Sequence, residues 1–168
     1  IGKIKVPDKI LKSSSSLTEE EYREMQNHSK YGYEILTDIE IFQDDLDVIK
    51  HHHERYDGTG YPEGLSGNDI PLGARVISVC DAFDVMTTGR KYKPALTKEQ
   101  TIQELQDCSG TQFDPELAEH LVDLIHEGVF DEQFQSEAQQ MQQPVRRSKR
   151  YGQAEIRNGG REVGRGAE

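Results

Sequence analysis

Cysteine is scarce in this chain, with Cys80 and Cys108 as its whole complement. Two thiols cannot build a disulfide framework, and nothing near the start reads as a signal peptide, so a reducing, cytoplasmic setting is expected. Long apolar runs are missing as well, since no stretch approaches the roughly 18 residues that mark a membrane span. Basic charge is thin over most of the length. The net charge is −11 over 168 residues, and the part from Pro144 onward is basic at +4, which leaves −15 on residues 1–143. An acidic body lacks the cationic footprint that nucleic acid requires. A small phosphorylated ligand, held by a few local cations and metal ions, stays compatible with it. Alternating strand patterns are absent too, and the length suits one domain, so the expected architecture is all-α. An initiator methionine is lacking: Ile1-Gly2-Lys3-Ile4 reads like the middle of a segment, and a truncated chain is expected.

What is present is a series of helix signals. After the serine run 13–16, Thr18 and Glu21 form a capping box, and Tyr22, Met25 and His28 follow on one side. Gly32 is expected to interrupt this helix before Ile35 and Leu36 resume its apolar pattern. The clearest periodicity runs from Ile39 to Glu54. Phe42, Leu46, Ile49 and His53 recur at helical spacing, and Ile41, Asp45, Val48 and His52 repeat it one residue earlier. That puts His52 and His53 on the core-facing stripe of the last helical turn and leaves His51 pointing away. Pro71 to Thr87 reads as another helix, with Val76, Ile77, Cys80 and Phe83 inward, and with Asp81 and Asp84 beside Ile77 near a buried face. Thr97 and Gln100 open a further helix that stops near Gly110. Asp114-Pro115 starts the next, which should bury Leu117, Leu121, Leu124 and Ile125. Beyond Asp131 the pattern decays, so a domain over residues 1–131 and a disordered tail over 132–168 are expected.

The chemistry concentrates in HHHERYDGTGYPEG, residues 51–64. A single histidine on an apolar face is usually a hydrogen-bonded core residue. Two neighbours there, with two carboxylates on a second helix, form a donor set suited to zinc, iron or manganese. Adjacent helical positions point about 100° apart, which favours two neighbouring ions, a common arrangement for hydrolysing phosphate esters. The glycines at 58 and 60 and Pro62 would shape a stiff loop that presents Tyr61 to a ligand.

The run His52–Pro62 resembles the signature of the HD-GYP branch of the HD phosphohydrolases. Residues 70–75, 81–84, 90–96 and 110–115 are similar to its later blocks, and Ile1–Ile4 resembles the segment just after its His-Asp doublet. The resemblance implies hydrolysis of cyclic di-GMP to pGpG and/or GMP at a centre of two or three divalent ions, iron first and manganese second. It implies His28, His52, His53 and Asp81 as metal ligands, Lys3 at the scissile phosphate, and Tyr61, Arg90 and Lys93 on the dinucleotide phosphates. Asp84 would orient a ligand or Lys3, and Glu54 would brace the helix end. A receiver or sensor domain would control such an output domain. The doublet itself would fall just before Ile1, so the chain as it stands is expected to hold an incomplete, nearly inactive centre. Two alternatives are an HD phosphohydrolase acting on another nucleotide, and a non-catalytic module whose glycine loop docks a partner such as a diguanylate cyclase.

Overall fold

The structure, a computed structural model, describes residues 1–13, 15–89 and 94–134. The expectations for Arg90, Lys93 and the tail from residue 135 onward lie outside the described residues. Among them the architecture is all-α, with one isolated bridge between Ser109 and Phe113 and no strand.

A 3-10 turn over Gly2–Lys5 leads into the short α1, Asp8–Leu11. Helix α2, Glu19–Gln26, starts at Thr18, whose hydroxyl accepts from the Glu21 amide while the Glu21 carboxylate accepts from the Thr18 amide. The chain breaks at Asn27, and α3 runs from His28 to Leu36 straight through Gly32. Gly32 therefore does not interrupt a helix; it permits a close crossing. A side chain at Gly2 would collide with the His28 carbonyl at 1.8 Å and the Gly32 amide at 2.5 Å, and one at Gly32 would press Ile49 at 3.2 Å. The opening turn and α4 thus both lie hard against α3.

The single helix expected from Ile39 to Glu54 is two elements. Residues Glu40–Asp45 form a 3-10 helix and Leu46–His51 form α4, so His52 and His53 lie in the turn beyond its end. The tighter 3-10 winding breaks the row read through Ile41, which is 80 % exposed.

Helix α5, Leu72–Thr88, packs against α4, and a Cβ on Gly73 would stand 2.8 Å from Val48. Its buried line runs through Ala74, Val79 and Met86. Val76, Ile77 and Cys80 are exposed, as are Asp81 and Asp84, because that side of the helix faces open space beside the histidines. The expected inward face is thus rotated. Helix α6, Lys98–Asp107, has the expected capping box at Thr97 and Gln100. In α7, Pro115–His126, Asp114 caps the first turn; Leu121 and Ile125 are buried, but Leu124 is exposed. Val79, Met86, Leu105, Phe113, Leu121 and Ile125 close one core between α5, α6 and α7. Phe130 and Phe134 extend it against Phe83, so ordered packing continues past Asp131. The molecule therefore has two packed halves that meet where α4 touches α5, and the candidate site lies at that seam. No described helix is long and apolar enough to cross a membrane.

Candidate metal centre and its two cavities

His28 starts α3, and His52 and His53 come just after the end of α4, so the α3–α4 contact brings three imidazoles together. One ring nitrogen from each lies within 4.8 Å of the others. Nε2 of His28 and Nε2 of His53 are 3.0 Å apart. The 100° divergence expected for consecutive helical residues does not separate the rings, because the helix has already ended at His51.

Each of two imidazoles is anchored from behind. Nδ1 of His28 donates to the Met25 carbonyl and Nδ1 of His52 to the Ile49 carbonyl, both at 2.7 Å. A carbonyl can only accept, so the proton sits on Nδ1 and the Nε2 lone pair faces the cluster. Burial lowers the pKa of all three rings and is opposed at His28 and His52 by those backbone bonds. For His53, burial and the neighbouring His52 and His28 bring the value down to about 3. The rings are therefore neutral at pH 7, as metal ligands must be. Two nitrogens bound about 2.1 Å from one ion stand about 3.0–3.4 Å apart at ordinary bond angles. The His28–His53 spacing fits that requirement, and the backbone anchors supply the outer support that metal-bound histidines usually have. The residues present fit a divalent ion.

Two cavities adjoin this cluster and share His52, His53, Tyr61 and Asp81 as lining. The larger, about 540 Å³, also exposes Lys3, His28 and Ile77. The smaller, about 360 Å³, is bounded by Arg55, Glu104 and Gln112 over Ala82, Val85 and Met86. Asp81 raises the His52 pKa through its charge while Lys3 lowers it, so both sense the cluster. Asp81 is not within the tight group of histidine nitrogens. Asp84 is exposed and lines neither cavity.

The glycine loop is tied to the histidine turn by its backbone. The Tyr61 amide donates to the His53 carbonyl at 3.2 Å, and the Glu63 amide to Glu54 Oε1 at 2.8 Å. The Tyr61–Pro62 peptide is cis. Burial raises the Tyr61 pKa to about 12, with the Tyr22 and Asp81 charges adding to it, so the phenol keeps its proton and can donate. Glu54 is 3 % exposed and braces the loop as well as the helix end. His51 does not point away. It is buried against Glu54 at 3.4 Å, with Glu63 beyond at 3.9 Å. These acidic partners arrive from the loop, and helical periodicity carries no sign of them. Periodicity gives no sign of Arg55, Glu104 and Gln112 either; the only hint is that two of them sit inside motif blocks.

The HD domain family model matches residues 1–117. The chain belongs to the HD domain family. This HD domain is 40 % identical over 124 residues to the cyclic di-GMP phosphodiesterase response regulator RpfG of Xanthomonas campestris, covering 73 % of this chain and 33 % of that protein. It is 38 % identical over 129 residues to a cyclic di-GMP phosphodiesterase of Thermotoga maritima, covering 76 % and 35 %. It is likewise 38 % identical over 125 residues to the 3'3'-cGAMP-specific phosphodiesterase 2 of Vibrio cholerae, covering 73 % and 24 %. The matched part thus spans between a quarter and about a third of the length of these relatives. Their names agree with the HD-GYP resemblance of the 52–62 run.

Proposed function

We propose that this HD domain hydrolyses a phosphodiester bond of a cyclic dinucleotide, cyclic di-GMP foremost, yielding pGpG and/or GMP. The observation that carries the reading is the convergence of three neutral imidazoles, two with backbone-fixed tautomers, beside two cavities that share His52 and His53. His28, His52, His53 and Asp81 would hold two or three divalent ions, iron or manganese. Such ions, when bound, polarise a phosphoryl oxygen and make water nucleophilic at neutral pH. The chain's own groups do the rest. Lys3 brings a fixed positive charge to the cavity wall beside His28, where charge grows on the phosphoryl oxygens. Tyr61 donates from a phenol that stays protonated and so orients a phosphate against the cluster. With Tyr61, Arg90 and Lys93 hold the phosphates of the dinucleotide. The domain serves as the output part of a signalling protein under a receiver or sensor domain.

The test uses anaerobically purified protein with a His-Asp pair added ahead of Ile1. It is expected to bind iron or manganese and to hydrolyse cyclic di-GMP. His28→Ala and His52→Ala each remove a direct ligand, and should lower metal affinity by at least about 100-fold, more than losing an outer support does. Bound metal without hydrolysis of any cyclic dinucleotide would favour a non-catalytic interaction module. Absence of both would overturn the reading.

A further inference from the structure

The smaller cavity has a polar wall that the phosphodiester chemistry does not use. Arg55 is fully engaged on the loop side: Nε donates to Thr59 Oγ1 at 2.9 Å, one terminal nitrogen to Gln112 Oε1 at 3.1 Å, and the other to Asp57 at 3.2 Å. Its contact with Gln112 fixes which way that carboxamide points. The oxygen is taken by Arg55, so the amide NH2, a pure donor, is left for the cavity. Glu104, exposed on α6, lines the same cavity with a carboxylate that can only accept. Among the described residues its hydrogen-bonding neighbour is the Cys108 thiol, 3.9 Å away. Ala82, Val85, Met86 and Phe113 supply the apolar part of its lining.

We infer that this cavity is a base-reading subsite and that Glu104 and Gln112 select guanine. This rests on the cyclic-dinucleotide reading above. One edge of guanine carries the acceptor O6 beside the donors N1–H and N2–H2. Glu104 accepts from the two donors while Gln112 donates to O6, and the purine plane lies against the apolar lining. Adenine reverses the pattern. Its N6 amino group would meet the Gln112 NH2, donor against donor, and its N1 lone pair would meet the Glu104 carboxylate. A site built from oriented polar groups rejects the wrong partner by leaving those groups unpaired. The cavity shares His52, His53, Tyr61 and Asp81 with the larger one, so a base held here keeps its phosphate beside the histidines.

Equilibrium binding tests this without catalysis. Calorimetric titration of the metal-free chain with cyclic di-GMP and cyclic di-AMP should show a preference of about tenfold or more for the guanine ligand, the scale of one good bidentate base contact. Glu104→Gln, which presents a donor where only acceptors stood, and Glu104→Ala should both bring that ratio toward one. An unchanged ratio in both variants overturns the inference, as does a wild-type chain that binds neither ligand or prefers adenine. Hydrolysis of bis-para-nitrophenyl phosphate, a diester without a base, by the metal-loaded protein carrying the added His-Asp pair reports separately on the phosphodiesterase reading. That reaction can fail while guanine selection stands, and the reverse.

Discussion

Gly60 leaves no room for a side chain. A Cβ there would stand 2.3 Å from the Arg55 amide nitrogen and 2.6 Å from Glu54 Cα, and neither atom can swing aside as a side chain would. Gly60→Ala must lift the loop from the histidine turn and weaken the bond from the Tyr61 amide to the His53 carbonyl. Overpacking of this kind costs about 1–3 kcal/mol. A thermal melt of G60A should therefore show a clearly lowered Tm, and an unchanged melt would mean that the loop has an unstrained alternative. The glycine was legible in the sequence only as one of the residues that shape a stiff loop. What demands it instead is the backbone packed against it, a tertiary fact that the sequence does not display.

Among the elements, α7 depends on a residue with two tasks. Asp114 Oδ1 accepts from the Glu116 amide and so caps the helix, while Oδ2 pairs with Arg75 of α5. Both side chains of the pair are largely buried. Losing a cap costs about 0.5–2 kcal/mol, and stranding one member of a buried pair about 3–5 kcal/mol. Asp114→Ala should thus destabilise by several kcal/mol, and Asp114→Asn, which can still cap, by less; urea unfolding of the two variants measures the difference. The cap could be read from Asp-Pro alone, as could the boxes at Thr18 and Thr97, because capping is decided within four residues. The pair with Arg75 could not. The same contrast explains the stretch 39–54, where apolar spacing persisted through a 3-10 segment that local periodicity cannot tell from an α-helix. It also explains Asp81 and Asp84, whose helix was found but whose outward side depended on where α4 packs.

For the whole molecule, one buried and two half-buried neutral imidazoles tie folding to pH. The unfolded chain takes up protons on these histidines near the ordinary value of 6.5, whereas the folded chain resists, down to about 3 at His53. Between those values the unfolded state binds more protons, so stability rises with pH. The penalty is absent above pH 6.5 and grows as the pH falls. Melts of the metal-free protein in chelator should show Tm dropping from pH 7 to pH 4, with a shallower drop in His53→Gln. A Tm that climbs on acidification would contradict the buried, neutral cluster.

One wall serves two rooms in this fold, since His52, His53, Tyr61 and Asp81 border both cavities. A cation resting on the imidazoles is therefore part of the surroundings of an anionic guest in either room. The coupling is reciprocal: whatever factor the ion adds to the guest's affinity, the guest returns to the ion. Occupancy by such a guest would then guard a bound cation against loss, and an empty site would be the one that surrenders it.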